Sequence, residues 1–313
     1  MNLDQLVAGE IALLLAESGL SLDVVTIINS WLDYNSGDKG RFAFAQLTLA
    51  ICDSVGGVLE VALKGAIAME LYALAADILD DIQDQDNNNL PWRKVPSAQA
   101  INLATCILVL SYTALSRLSE HSHFEDVSNV LNQMGLKACD GQFQEFTNDS
   151  KESITLEEYF SMIMKKSGGL TAGACKIGAI LGGTHQTFIN QLEHFGMNLG
   201  VMNQIKNDFA DFLNIETKND FARGRKTLPF VYLLNVLDEE EVEAFKALSS
   251  MAKKGLDKFG LKEREQLSKI VMNEGTNHYG CVMYELYKQR AIESLDNIPL
   301  LNNRKEKLME FVE

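Results

Sequence analysis

The chain has 313 residues, of which 46% are hydrophobic and 23% charged, proportions that exclude a disordered or collagen-like protein. Its 28 Lys and Arg against 43 Asp and Glu give a net charge of −15, which argues against nucleic acid and an anionic membrane surface as partners. The four prolines are far fewer than the roughly 16 expected from average usage, and none lies between Pro96 and Pro229. Because long helices exclude interior proline, we predict an all-α fold.

The predicted helices are separated by short polar or glycine-containing breaks. They cover residues 3–18, 22–34, 41–55, 59–84, 97–119, 125–147, 155–182 and 187–213, followed by shorter helices and a last one at 275–295. The uncharged stretch 97–116 is nearly long enough to cross a bilayer, but polar residues interrupt it. We interpret it as a buried helix at the centre of a bundle and predict no transmembrane segment. Without repeats or linkers, residues 1–313 are predicted to form a single domain.

The cysteines indicate a compartment. They are odd in number, widely scattered and never paired as Cys-x-x-Cys: Cys52, Cys106, Cys139, Cys175 and Cys281. Such a pattern is typical of reduced core thiols, so we predict a cytoplasmic protein.

A first acidic cluster ends the predicted helix 59–84. Asp80 and Asp84 are spaced i, i+4 and project from one face, with Asp77 and Asp81 beside them. Like charges at this spacing repel, and acids at a helix C-terminus oppose the helix dipole. A cation that bridges them would offset both effects, and carboxylate oxygens suit Mg²⁺. The alternative is a solvated acidic helix end.

A second acidic cluster lies near the end of the predicted helix 187–213. Gln204, Asp208 and Asp211 share one face of that helix. Two acidic helices with apolar stems predict carboxylates that meet across a cavity of the bundle. Di-iron bundles share this arrangement but need a Glu-x-x-His pair on each of two helices, which the five histidines do not supply.

Two basic segments accompany the acidic clusters. Lys165 and Lys166 precede Ser167 within the predicted helix 155–182, and residues 223–227 read Arg-Gly-Arg-Lys-Thr. Local cations in such an acidic protein are candidates for holding a diphosphate. The alternative for the second segment is a solvated turn before a helix.

In this order and spacing, the motifs resemble the trans-isoprenyl diphosphate synthase family. The matching elements are Glu70 and residues 80–84, 141–145, 166–167, 204–211 and 224–227. The resemblance implies a single helical bundle of the isoprenoid-synthase type with a central cavity. It also implies a Mg²⁺-dependent prenyltransferase that ionises an allylic diphosphate.

The resemblance implies specific residue roles. Asp80, Asp84 and Asp208 would bind Mg²⁺, and Asp81 and Asp211 would support the metal directly or through water. Residues that would bind the diphosphate are Lys166, Arg225, Lys226 and Gln142. The allylic cation would lie near Gln204, Gln142 and the backbone of Ser167. Tyr72, Ala75 and Ala76 would line a pocket for a geranyl- or farnesyl-sized tail, with plain core packing as the alternative.

Departures from the family pattern concern the second substrate. Chain-elongating members follow the first acidic motif with Arg-Arg-Gly, where an arginine helps to bind isopentenyl diphosphate, but residues 87–92 here read Asn-Asn-Asn-Leu-Pro-Trp. Lys39, Arg41 and Arg93 remain as candidate cations for a second-substrate site, and Asn207 replaces the first Asp of the second acidic motif. Without such cations, a diphosphate bound as the second substrate would be buried as unpaired negative charge, which is costly.

This combination is similar to the ComQ-type branch of the family, which attaches a prenyl group to a tryptophan of a pheromone precursor peptide in quorum sensing. Three alternatives stay open: an ordinary short-chain prenyl diphosphate synthase, an inactive partner subunit of a heteromeric synthase, and, more distantly, a terpene cyclase. Family members are usually dimers, so a homodimer is expected.

Overall fold

The computed structural model describes residues 3–34, 42–84, 89–212, 220–255, 259–296, 298–300 and 302–313. Every regular element in these ranges is helical, which confirms the all-α prediction. The helices are α1 Leu3–Glu17, α2 Leu22–Tyr34, α3 Ala43–Ser54, α4 Leu59–Asp84, α5 Ser97–Ser116, α6 Phe124–Asp149, α7 Leu156–Ile163, α8 Gly169–Leu181, α9 Gln186–Phe212, α10 Asp220–Arg223, α11 Leu228–Val236, α12 Glu239–Lys253, α13 Leu261–Asn273, α14 Thr276–Asp296 and α15 Asn302–Met309.

One predicted helix is interrupted. The stretch 155–182 contains α7 and α8, separated by a π-helical turn at Met164–Gly168. Thr155 starts α7 through a capping box with Glu158, as its sequence favours. A second short element, the 3₁₀ turn Pro91–Arg93, follows α4 and begins with a proline that suits a first helical position.

The described chain divides into two compact units. Unit 1 comprises Met1–Leu136, Leu170–Gly196 and Ala291–Glu313, and unit 2 comprises Lys137–Gly169 and Met197–Arg290. The helices α6, α9 and α14 therefore contribute residues to both units, and α8 does so by its first residue. The prediction of a single domain over 1–313 stays a prediction.

Unit 1 is built around α4. Most of its side chains from Ala62 to Ala75 are buried, and α3 and α5 pack against it. A helix that is apolar on all sides is buried on all sides, which explains this central position.

The helix α5 was predicted to be a buried central helix, and this is wrong for one of its faces. Leu103, Ile107 and Leu110 are buried, whereas Ile101 and Val109 are 45% and 59% exposed. The reason is that α4 occupies the central position. By length and composition alone α5 could cross a membrane, a test that core helices of soluble proteins also pass.

Glu70 on α4 caps the beginning of α3. Phe42, which precedes α3, makes no side-chain cap, and the Oε2 atom of Glu70 accepts the N–H of Ala45 at 2.9 Å. Glu70 is 2% exposed. Burial raises its pKa to about 7, against the opposing effect of hydrogen bonds from the backbone of Ala45 and Phe44. A carboxyl group from one helix thus supplies the cap of another.

Unit 2 contains an aromatic core. Phe221, Phe230, Phe245 and Phe259 are almost fully buried, and the rings of Phe230 and Phe245 lie 4.9 Å apart. This cluster joins α10, α11 and α12, and Ser249 donates to the carbonyl oxygen of Phe221 at 2.6 Å. The core therefore supports the basic segment 223–227 between α10 and α11.

All five cysteines are free thiols, as predicted. The prediction that they are core residues holds for Cys52 and Cys175 but is wrong for Cys139 and Cys281, which are exposed because they lie on the outward faces of α6 and α14.

Candidate active site

The first acidic motif forms the last turn of α4 in unit 1. Asp77 is exposed, Asp80 and Asp81 are half-buried, and Asp84 is only 8% exposed. The alternative of a solvated acidic helix end therefore does not hold for the whole motif, because its last carboxylate is buried. No basic residue lies in this last turn.

The 3₁₀ turn Pro91–Arg93 contacts the first acidic motif. Trp92 in the 3₁₀ turn donates its Nε1–H to the Oδ2 atom of Asp81 at 2.9 Å. The indole is 4% exposed and meets Trp31 and Tyr34 edge-on, with ring centroids 6.0 and 6.2 Å away. No role for Trp92 was predicted from the sequence.

The predicted tail residues lie on the buried side of α4. Tyr72 and Ala75 are buried, and Ala76 is half-buried. A Cβ atom added to Gly135 of α6 would lie 2.3 Å from the Oη atom of Tyr72, so only glycine lets α6 approach this ring so closely. A separate groove of about 510 Å³ in unit 1 is lined by residues such as His123, Gln133 and Lys176 and by no predicted site residue.

The π-helical turn of unit 2 carries Lys165, Lys166 and Ser167. A Cβ atom on Gly141 would lie 2.8 Å from the backbone nitrogen of Lys166, which explains why α6 has a glycine where it meets this turn. Such turns are frequent at functional sites. The two lysines have different partners: Lys165 pairs with Asp140 at 2.8 Å, and Lys166 pairs with Glu145.

Glu145 also pairs with the second basic segment. The Nη1 atom of Arg225 lies 3.6 Å from its Oε1 atom, and the Arg225 side chain is 13% exposed. The alternative of a solvated turn is therefore wrong for Arg225. No role for Glu145 was predicted from the sequence. Its i, i+3 spacing from Gln142 indicates that both side chains share one face of α6.

The buried carboxylate of the second acidic motif belongs to Asp208. It accepts hydrogen bonds from the Tyr159 hydroxyl at 2.6 Å, the Gln204 amide at 2.7 Å and the Leu228 N–H at 2.7 Å. Burial raises the pKa of Asp208 to about 6, although these three donors oppose the shift. Burial, with the nearby Asp208, holds the pKa of Tyr159 well above its ordinary value. Asp208 thus links α7, α9 and α11.

The other residues around Asp208 differ in exposure. Asn207 is exposed and Asp211 is half-buried. The Oε1 atom of Gln204 accepts from the Ser167 hydroxyl at 2.6 Å. Gln204 is therefore held from both ends of its amide, by Ser167 and by Asp208.

Two further predicted diphosphate ligands lie in unit 2. The Nε2 atom of Gln142 is buried and has no hydrogen-bond partner within the described part of the chain. Lys226 is 7% exposed, its Nζ atom donates to the carbonyl of Gly224, and burial lowers its pKa. Gln142 therefore offers an unused donor, whereas Lys226 stabilises its own turn.

The carboxylates of the first acidic motif fit Mg²⁺, whereas Asp208 fits a supporting role better. Asp80 and Asp84 offer hard carboxylate oxygens one helical turn apart. Asp208 already accepts three protein hydrogen bonds on its two oxygens, which favours a supporting role for it. Of the cations predicted for a second substrate, Arg93 is half-buried in the 3₁₀ turn, and Lys39 and Arg41 lie outside the described residues.

The profile of the polyprenyl synthetase family matches residues 25–259. The chain belongs to this family. It is similar to the tryptophan prenyltransferase ComQ of Bacillus subtilis (strain 168), 27% identical over 290 residues that cover 92% of this chain and 91% of that protein. A short chain isoprenyl diphosphate synthase of Methanothermobacter thermautotrophicus is 30% identical over 217 residues, 65% of this chain and 66% of that protein.

Comparison with solved structures shows the same fold for this chain. The geranylgeranyl pyrophosphate synthetase from Pyrococcus horikoshii Ot3 superposes with a TM-score of 0.83 and 22% identity, covering 98% of this chain and 94% of that one. The family, the all-α isoprenoid-synthase fold and the assignment as a prenyltransferase are therefore confirmed.

Proposed function

We propose that this protein ionises a short allylic diphosphate with Mg²⁺ and transfers the prenyl group to a tryptophan of a pheromone precursor peptide. The observation that supports this acceptor is the buried indole of Trp92, which ties the segment after the first acidic motif to Asp81. Elongating relatives of the family carry arginines in that segment. The similarity to a tryptophan prenyltransferase over most of both chains points the same way.

Lys166 and Arg225 are the proposed ligands of the diphosphate. Both lie next to Glu145, so their charges are concentrated in one place before substrate arrives. When the C1–O bond of the allylic substrate breaks, its electron pair leaves with the diphosphate. The two cations then stabilise the growing negative charge, and the unused amide donor of Gln142 can add a hydrogen bond.

Asp80 and Asp84 are the proposed Mg²⁺ ligands of the first motif, and Asp208 and Asp211 are those proposed for the second motif. When bound, Mg²⁺ supplies Lewis-acid stabilisation of the leaving diphosphate. The three donors on Asp208 favour a role in which it fixes Gln204 and the start of α11.

Gln204 is proposed to stabilise the allylic cation by its amide dipole. Ser167 and Asp208 hold this amide in one orientation, so no reorientation is needed when the cation forms. The new carbon–carbon bond takes its electron pair from the indole ring of the acceptor, and the ring then loses a proton. The released diphosphate is the candidate base.

Tyr72 is proposed to end the tail pocket, so that a geranyl or farnesyl group fits. The close approach of α6 at Gly135 keeps its ring in place. Tyr72→Ala should therefore extend the longest accepted tail.

We further propose a cytoplasmic homodimer. The exposed apolar face of α5, with Ile101, Val109 and Tyr112, is a candidate interface, and the five free thiols suit a reducing compartment.

The experiment compares acceptors. Purified protein, Mg²⁺ and farnesyl or geranyl diphosphate are incubated with labelled isopentenyl diphosphate or with a peptide containing a single tryptophan. Prenylated peptide without elongated diphosphate supports the proposal, and elongated product contradicts it. Elongation would establish the second candidate, an ordinary short-chain synthase, which the relative from Methanothermobacter favours. Neither product, and no Mg²⁺-dependent binding of the allylic diphosphate, would indicate an inactive partner subunit.

A further inference from the structure

The middle carboxylate of the first acidic motif has a partner of its own. Asp81 receives the indole N–H of Trp92 at 2.9 Å, while Trp92 is enclosed by Trp31 and Tyr34. Hydrogen bonds to an ionised group are stronger than neutral ones and costly to lose when one partner is buried. This bond therefore ties the 3₁₀ turn Pro91–Arg93 to the last turn of α4.

Helix geometry separates the three carboxylates by direction. Asp80 and Asp84 are one turn apart on one face of α4, whereas Asp81 is rotated from Asp80 by about 100°. The last turn of α4 has no basic residue to offset the helix dipole, and its acids repel each other. An N–H donor from outside the helix relieves this repulsion at Asp81.

We propose that Trp92 is a positioning residue of the metal site. Its N–H holds the Oδ2 atom of Asp81 against the 3₁₀ turn, which leaves Asp81 a supporting role at the metal and fixes the helical turn that carries Asp80 and Asp84. The inference rests on the proposed function only in taking Asp80 and Asp84 as Mg²⁺ ligands.

The two tryptophans provide a matched pair of variants. Trp31 is 2% exposed and touches the same aromatic cluster but makes no hydrogen bond to Asp81. Trp92→Phe and Trp31→Phe therefore remove similar buried area, and only Trp92→Phe removes the N–H that Asp81 accepts. Thermal unfolding of both variants establishes that they are folded.

The measurement is calorimetric titration of the full chain with Mg²⁺ in the presence of inorganic diphosphate, without any acceptor. Trp92→Phe should raise the apparent Mg²⁺ dissociation constant about tenfold, the effect of losing one charge-assisted hydrogen bond. Trp31→Phe should leave it nearly unchanged. Replacing Trp92 by a benzothiophene analogue, which keeps the ring shape but lacks the N–H, should reproduce the loss.

Variants of Asp81 complete the test. Asp81→Asn keeps an oxygen acceptor for the indole and should lose less Mg²⁺ affinity than Asp81→Leu, and Trp92→Phe should add little to Asp81→Leu. Equal losses in Trp92→Phe and Trp31→Phe, or tighter binding in Trp92→Phe, would overturn the proposal.

Asp80→Asn distinguishes failure of this inference from failure of the proposed peptide acceptor. If it does not weaken Mg²⁺ binding, the metal site itself is wrong and the inference falls with it. If Mg²⁺ binding follows the expected order of variants but no peptide is prenylated, only the proposed acceptor fails.

Discussion

Lys165 and Lys166 are neighbours on one π-helical turn, yet only Lys166 pairs with Glu145, the carboxylate that Arg225 also contacts. Lys165 pairs with Asp140 and its side chain is 40% exposed, whereas Lys166 pairs with Glu145 and is 21% exposed. The family motif at residues 166–167 selects Lys166, but the different partners of the two lysines come from the turn geometry.

Lys166→Gln should weaken the binding of Mg²⁺–diphosphate about tenfold to a hundredfold, because a charge-assisted contact to a phosphate oxygen is lost. Calorimetry with inorganic diphosphate measures the change. The matched control is Lys165→Gln, which removes the same charge from the same turn and should change the affinity far less. Equal losses in the two variants would show a general effect of net charge rather than a specific contact.

A pH dependence follows from Glu70. Its pKa is raised from 4.5 to about 7 in the folded protein, so the folded state binds this proton more tightly than the unfolded state. The stabilising contribution is complete below about pH 4.5 and is lost as the pH rises through about 7. A shift of this size corresponds to about 3 kcal/mol.

Glu70→Gln should remove that part of the pH dependence, because the amide can accept the N–H of Ala45 but does not ionise. The free energy of unfolding of both proteins, measured by urea denaturation from pH 4.5 to 8, gives the comparison. Asp208, whose pKa is also raised, is present in both proteins and cancels. Parallel curves for the two proteins would refute this role of Glu70.

Candidate residues could be predicted from spacing, but their partners could not. The i, i+4 pattern of Asp80 and Asp84 lies within one helix, where geometry follows from sequence. Asp208 meets Tyr159 across 49 residues of chain, and Trp92 reaches Asp81 through a turn. No local pattern encodes either contact, because packing between elements brings these side chains together.

At the scale of elements, α4 and α6 approach each other closely where Tyr72 meets Gly135. A side chain at position 135 would overlap the tyrosine hydroxyl. The bounds of α2 and α4 agree with prediction because polar and glycine residues end them, whereas the π-helical turn was missed. Its sequence, Met-Lys-Lys-Ser-Gly, contains no proline that would mark a break, so the change of backbone register is not visible in the sequence.

Gly135→Ala should destabilise the protein by about 1–3 kcal/mol, the usual effect of overpacking. In a Tyr72→Ala background the same change should have little effect, because the overlapping hydroxyl is gone. Urea denaturation of the four proteins of this cycle measures the coupling. An undiminished effect of Gly135→Ala in that background would mean that the glycine serves α6 itself.

At the scale of the whole molecule, α5 shows one apolar face to the outside. Ile101, Val109 and Tyr112 are 45%, 59% and 40% exposed and follow helical spacing. The sequence alone identified the apolar composition but not which face is covered, since that depends on α4.

Val109→Asp should convert a dimer into monomers, because a charge would be buried in the apolar interface. Sedimentation velocity measures the change in mass. Leu261→Asp is the control, since Leu261 is 82% exposed on α13, outside this face. A wild-type protein that sediments as a monomer would contradict the proposed interface.

The cap that Glu70 provides makes the first turn of α3 dependent on another helix. The Ala45 amide hydrogen is held by a side chain 25 residues further along the chain. Its exchange with solvent deuterium therefore requires this contact between α3 and α4 to break, so its protection depends on α4 as well as on α3. In native-state exchange this amide should therefore report the contact between the two helices.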